Sequence, residues 1–173
     1  MTEWRNHPAL KGKFHPEYPD DIQVIVHDGG PRLTHRRPEL IWVRVIGGTD
    51  PLFTGVILNQ PDQLKSVHQD QPIKFIALNP YPLMVTDKYL EERKDWIIHP
   101  CDRCGLPELF DAPSDLMRAV FPNMPQGAQS DAFTAFCGDC GGILIVQSIH
   151  AELEDDCDLV SEPPKKWWQF WKE

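Results

Sequence analysis

The residues most able to do chemistry are four cysteines in two CxxC pairs, each pair followed by glycine: Cys101, Cys104, Cys137 and Cys140. Two residues between cysteines let both sulfurs reach one ion at about 2.3 Å in tetrahedral geometry. A glycine after the second cysteine can adopt the left-handed backbone that tightens such a turn. The spacing therefore predicts a zinc site, and the site would be structural because four sulfurs close the coordination shell.

Two other states of these cysteines stay open at this point: unliganded thiols, or two strained local disulfides. A thioredoxin-type redox site fits poorly, because that motif follows a strand and opens a helix, whereas glycines follow both pairs here. The pattern resembles the zinc-ribbon or zinc-knuckle class over residues 101 to 141. That resemblance implies a structural ion and no substrate.

Histidine is the other residue type that invites a catalytic interpretation. His7, His15 and His99 precede proline, where loop conformation accounts for them. His99 lies two residues before Cys101 and is a candidate to hydrogen-bond a ligand sulfur. His27 with Asp28 resembles half of a catalytic dyad, but a Gly-Gly turn follows it directly, so a structural role is favoured. We assign no catalytic residue.

The C-terminal segment is acidic and then aromatic. Six acids and no base lie between residues 152 and 162. Such a run is typical of a solvated tail, or of a surface that steers a basic protein partner. Four aromatic residues follow within residues 167 to 171, and they could cover the chain's own body, a membrane interface or another protein. The candidate partner-binding residues are Glu152, Glu154, Asp155, Asp156, Asp158, Trp167, Trp168 and Trp171.

Charge and hydropathy exclude several classes of protein. The 173 residues contain 26 acids and 17 bases, a formal net charge of −9. This balance argues against binding to nucleic acid, whose phosphates would repel it. The N-terminus has no signal-peptide pattern, and no apolar run approaches the roughly 18 residues of a membrane span. A cytoplasmic location follows as the expectation, with reduced thiols that favour metal over disulfides.

The pattern of apolar runs and turn residues predicts an α+β fold, mainly antiparallel β-sheet, with two short helices and the structural four-cysteine zinc site. Strands are predicted over residues 22–27, 40–46, 52–58, 74–78 and 143–149, the second and third forming a hairpin. Helices are predicted over 86–93, capped by Thr86, and over 114–121, capped by Ser114. We expect an N-terminal arm and β-rich body over 1–98, a zinc-binding segment packed on it over 99–150, and a tail over 151–173.

Part of the first half resembles a known family. Within residues 39 to 98 the chain carries Trp42-Val43, Phe53-Thr54-Gly55, Leu58-Asn59-Gln60-Pro61, Ile73-Lys74-Phe75 and Trp96. This order is similar to the YegJ-like family of uncharacterised bacterial domains, although Ile57 stands where that pattern has leucine and the cysteine half is additional. The resemblance implies a small, mainly β module of bacterial origin and no catalytic residue.

These observations lead to a hypothesis about function. We expect a non-enzymatic, zinc-stabilised, acidic bacterial protein that binds another protein, for example an immunity protein (antitoxin) that neutralises a basic toxin. One alternative is a small hydrolytic enzyme that uses His27, Asp28 or His99 in a cleft between the β body and the zinc half. Another is a zinc-ribbon adaptor in transcription or translation, which would need a basic face.

Overall fold

A computed structural model describes residues 3–125, 127–128 and 130–151 of the chain. Strands dominate it and form a closed five-stranded barrel and a separate three-stranded sheet, with two α-helices in the described residues. The prediction of a mainly antiparallel α+β fold with two short helices is therefore confirmed. The strands are β1 Asp21–Val26, β2 Glu39–Thr49, β3 Leu52–Ile57, β4 Pro72–Ile76, β5 Leu83–Val85, β6 Trp96–Ile98, β7 Ala132–Phe136 and β8 Ile143–Ser148, and the helices are α1 Asp87–Glu92 and α2 Pro113–Val120.

The barrel consists of β1 to β5 in sequence order. Each consecutive pair is antiparallel, and β1 closes the barrel on β5 as a parallel neighbour through Ile25 and Leu83. Alternate residues point inward, as a half-buried strand requires. In β1, for example, Ile22, Val24 and Val26 are fully buried. The predicted hairpin of the second and third strands is confirmed by the pairing of β2 with β3.

The N-terminal arm supplies part of the barrel core. Short 3-10 helices cover Glu3–Asn6 and Pro8–Leu10. Trp4 is 6% exposed and Leu10 is completely buried, and both belong to the same apolar cluster as the inward residues of β1. The arm is irregular, as its proline and charge content predict, and it is anchored by these two side chains.

The second sheet has the order β6–β8–β7, and both of its pairs are antiparallel. Its inner face includes Leu144, Val146 and Phe133, which share a core with Leu83 and Val85 of the barrel. Among these three strands, the sequence patterns predicted only β8. The shared core fixes the cysteine-bearing segments against the barrel.

The two helices differ in how they begin. The Thr86 hydroxyl accepts a hydrogen bond from the Tyr89 amide (3.2 Å), so the predicted cap of α1 is confirmed. The predicted cap of α2 is wrong, because α2 begins at Pro113 and Ala112 precedes it without a side-chain cap. Proline suits the first helical position, where its missing N–H is not needed. Ser114 instead donates its hydroxyl to Glu92 (2.7 Å) and joins α2 to α1.

Within the described ranges, every helix is too short or too polar to cross a bilayer.

Candidate metal centre

Pairing in the second sheet brings the two CxxC turns together. Cys101 and Cys104 follow β6, while Cys137 and Cys140 lie in the connection between β7 and β8. Because β8 pairs with both β6 and β7, the two turns meet at one end of the sheet. One ion held by both turns would therefore join the residues before Cys101 to the strand that starts at Ile143.

The two turns have the same backbone geometry. The Gly105 amide donates to the Cys101 carbonyl, and the Gly141 amide donates to the Cys137 carbonyl, both at 3.0 Å. Gly105 and Gly141 have φ angles of +75° and +70°. These values lie in the left-handed region that glycine adopts without steric cost, so the predicted reason for the CxxCG pattern holds at both turns.

The four sulfur atoms form a compact group. All of them lie within 4.8 Å of one another, and the group could hold a metal ion. The Sγ atoms of Cys101 and Cys140 are 3.5 Å apart, and those of Cys104 and Cys137 are 3.6 Å apart. Sulfurs at about 2.3 Å from a tetrahedral ion would be separated by roughly 3.8 Å. All four are free thiols, so the alternative of two local disulfides is not what the structure shows.

Backbone amides lower the pKa values of the buried thiols, whereas burial raises them. Burial disfavours the Cys101 thiolate, but the amides of Cys104 and Arg103 donate to it and its pKa falls from 9.0 to about 7. At Cys137 burial prevails and raises the pKa well above the ordinary value. A thiolate ligand must lose its proton, so an ion bound here would displace protons and its affinity would rise with pH.

Asp102 links the first turn to the sheet. Its Oδ1 accepts a hydrogen bond from the Ile143 amide (2.8 Å), and its own amide donates to the Ile143 carbonyl (3.1 Å). The Gly142 amide donates to the Cys140 sulfur (3.4 Å). Such bonds orient ligand atoms before an ion arrives and reduce the entropy lost on binding. The site is consequently preorganised by residues that CxxC spacing alone does not identify.

His27 and Asp28 line a cavity of about 510 Å³ between the barrel and the segment that leads into α2. The His27 ring is buried, and it stacks on Phe110 with 4.3 Å between ring centroids. Its Nε2 lies 3.0 Å from the Met84 carbonyl oxygen, and its Nδ1 accepts a hydrogen bond from the Gly29 amide at 3.1 Å. Burial lowers its pKa from 6.5 to about 4, although the Met84 carbonyl and the Asp28 charge act in the opposite direction. Both ring nitrogens are engaged in holding the fold.

The Asp28 carboxylate is also committed to structural bonds. It accepts hydrogen bonds from the amides of Lys65 (2.8 Å) and Ser66 (2.9 Å) and from the Ser66 hydroxyl (2.5 Å). The Arg36 guanidinium lies 3.4 Å away. These contacts support a structural role for the His27–Asp28 pair.

Asp111 is a buried acid that the sequence analysis did not single out. Its Oδ2 accepts a hydrogen bond from the Gly30 amide (2.8 Å), and burial raises the pKa of this carboxyl. A Cβ atom on Gly29 would lie 2.6 Å from Asp111 Oδ1, so glycine is needed to admit the carboxylate. The consecutive glycines Gly29 and Gly30 indicate in the sequence that another group packs closely against the backbone there. The sequence does not indicate that this group is the Asp111 carboxylate.

Of the remaining candidates, only His99 lies within the described residues, and it does not join the cysteine group. The His99 side chain is exposed and its amide donates to the Ile145 carbonyl (2.9 Å), with no hydrogen bond from its ring to a sulfur in the described part of the chain. The acidic residues Glu152 to Asp158 and the tryptophans Trp167, Trp168 and Trp171 lie outside the described residues. Comparisons with protein-family models, curated proteins and solved structures found no match to this chain.

Proposed function

We propose that the four cysteines bind one zinc ion and that the protein is a non-enzymatic, zinc-stabilised module that binds another protein. The observation that carries this proposal is the group of four free thiols within 4.8 Å. Four thiolates suit zinc in tetrahedral geometry and leave no coordination position for water or substrate. An ion held in this way stabilises the fold and does not activate a nucleophile.

The metal assignment is tested by elemental analysis of the purified full chain. We expect one zinc per chain, and its loss when Cys101 or Cys137 is replaced by serine. Cys157 provides the matched control, because it is a cysteine outside the two CxxCG turns. Cys157→Ser should retain the full zinc content. A chain purified from zinc-replete medium with no bound metal, or with zinc that survives both substitutions, would contradict the assignment.

The binding part of the proposal rests on charge. Glu152, Glu154, Asp155, Asp156 and Asp158 form a dense acidic run in a chain of net charge −9. A basic partner would be attracted over a distance of about 8 Å at physiological salt, and its association rate would fall as salt is added. If the YegJ-like resemblance reflects a bacterial origin, an immunity protein that neutralises a basic toxin is the use that we favour.

The test compares the full chain with a variant in which these five acids become their amides. A toxin encoded beside the gene should be captured and neutralised by the natural chain, and salt should slow its association. Neutralising the acids should lower the association rate about tenfold or more at low salt. A control that removes five acids from elsewhere on the surface should have a smaller effect. Equal rates for both variants would contradict the role of residues 152 to 158.

The cavity beside His27 is the one observation that favours the alternative of a hydrolytic enzyme, because it lies between the barrel and the cysteine half. A general base needs a nitrogen free to take a proton from the substrate or water. Both nitrogens of His27 already contact backbone groups, and the low pKa makes the ring a weak base. The binding function therefore has the stronger support.

A further inference from the structure

The outer face of the second sheet carries a group of exposed apolar side chains. Ile143 and Ile145 of β8 are 47% and 51% exposed, Phe136 of β7 is 43% exposed, and Ile97 of β6 is 46% exposed. The register places Phe136 opposite Ile143, and Ile97 lies opposite Gln147 on the same face. These four residues are called the outer apolar face below. Contiguous apolar surface of this kind marks an interaction site.

We propose that the tryptophan-rich C-terminus, residues 165–173, docks on the outer apolar face of its own chain. The described chain leaves the sheet at the end of β8 and continues for 22 residues beyond Ala151. Those residues contain Trp167, Trp168 and Trp171. Each tryptophan can bury about 150 to 250 Å² of largely apolar surface, which matches a face made of isoleucine and phenylalanine.

The length of the connection favours docking within one chain. Trp167 lies 16 residues beyond Ala151. A Gly/Ser-type flexible peptide of that length has a root-mean-square span of roughly 22 Å, and linkers rich in like charges and proline, such as residues 152–166, span more. The six residues of β8 extend over about 20 Å. A flexible tether long enough to span this distance gives the segment an effective concentration on the order of millimolar. A second copy of the chain or a partner protein at micromolar concentration would compete poorly for the outer apolar face against a tethered segment at that effective concentration.

Charge at the edge of the sheet is complementary to the same segment. Asp95 and Asp131 are exposed beside the end of β8, where their carbonyls accept hydrogen bonds from the amides of Ile149 and Ser148. The C-terminal segment carries Lys165, Lys166 and Lys172 around its aromatic residues. An apolar centre with opposite charges at its rim is the usual arrangement of a protein interface. The inference is independent of the metal and of the proposed partner.

Fluorine NMR of the full chain labelled with 5-fluorotryptophan tests the proposal. The chain has six tryptophans, so Trp4, Trp42 and Trp96 report the fold while the other three report the C-terminus. In the natural chain we expect the three C-terminal resonances to differ from their positions in concentrated urea, independently of protein concentration. Ile145→Lys should lower the equilibrium constant for docking about tenfold and move these resonances toward the urea positions.

Ile46→Lys is the matched control, because Ile46 is 56% exposed on β2 of the barrel and lies outside the outer apolar face. Ile46→Lys should leave the C-terminal resonances unchanged. Ile143→Thr is a second, milder substitution within the outer apolar face. C-terminal resonances at the urea positions in the natural chain would overturn the proposal and leave the segment available to a membrane or partner. Resonances that shift with protein concentration would overturn it in favour of a second copy, and indifference to both face variants would also overturn it.

Discussion

Acidification should destabilise this protein through His27, a ring that is buried and uncharged in the folded state. Its pKa is lowered from 6.5 to about 4, first by burial, with the Met84 carbonyl and the Asp28 charge opposing the shift. Between these two pH values the unfolded chain binds a proton that the folded protein does not. Lower pH therefore favours unfolding, and the contribution of His27 to stability is present above pH 6.5 and lost as the pH falls toward 4.

The size of the effect follows from the two pKa values. Each pH unit between them corresponds to about 1.4 kcal/mol. The difference between 6.5 and about 4 thus predicts a loss of about 3 kcal/mol in the free energy of unfolding. Domains are stable by about 5 to 15 kcal/mol, so this loss is a substantial fraction of the total. The substitution His27→Gln isolates the term, because an amide can still donate to the Met84 carbonyl but does not titrate.

Urea denaturation of the natural chain and of His27→Gln, at pH values from 7.5 to 4, measures the contribution of His27 to the free energy of unfolding. Other titrating groups, including the cysteines and Asp111, contribute to both proteins and cancel in the difference. We expect His27→Gln to be less stable than the natural chain at pH 7.5, because the ring loses its stacking on Phe110. The difference in free energy of unfolding between the natural chain and His27→Gln should narrow by about 3 kcal/mol as the pH falls to 4. A difference that does not depend on pH would refute the assignment of a buried neutral ring.

Three further predictions concern stability. Chelation of the proposed zinc ion should lower the melting temperature by about 10 °C or more, since the site joins segments far apart in sequence. An unchanged melting temperature would contradict a structural ion. Gly138→Ala should cost about 1 to 3 kcal/mol in urea denaturation, because its Cβ would lie 2.3 Å from Cδ2 of Phe110. Gly47→Ala is the control, since nothing lies within 4 Å of its Cβ, and equal costs at both glycines would show that Phe110 is not tightly packed there. Ser114→Ala should cost about 1 kcal/mol through loss of the hydroxyl bond to Glu92 (2.7 Å), and a neutral result in thermal denaturation would mean that this bond contributes nothing.

Long strands and local turns could be predicted because short-range pattern determines them. β2 and β8 have apolar residues in the periodicity of a strand, and the hairpin of β2 and β3 is closed by residues adjacent in sequence. The cap at Thr86 depends on a contact only three residues away. Each of these features can be read from a window of a few residues.

Short strands could not be predicted in this way. β5 and β6 contain three residues each, and they exist because distant strands supply their hydrogen-bond partners. β5 lies between β1 and β4, and β6 pairs with β8 about 50 residues later. The misplaced start of α2 has the same origin, since Ser114 contacts Glu92 on another helix in preference to its own backbone.

By itself the sequence determined the chemistry of the cysteine group, because two CxxCG turns specify both the ligand type and the left-handed glycines at Gly105 and Gly141. Only the tertiary structure decided that the two turns meet, that His27 is buried with both nitrogens engaged, and that Asp111 lies against Gly29 and Gly30. The physical reason is the distance along the chain over which the deciding interactions act. Turn geometry and metal-ligand type depend on neighbouring residues, whereas burial and the pKa values that follow from it depend on which distant elements pack together.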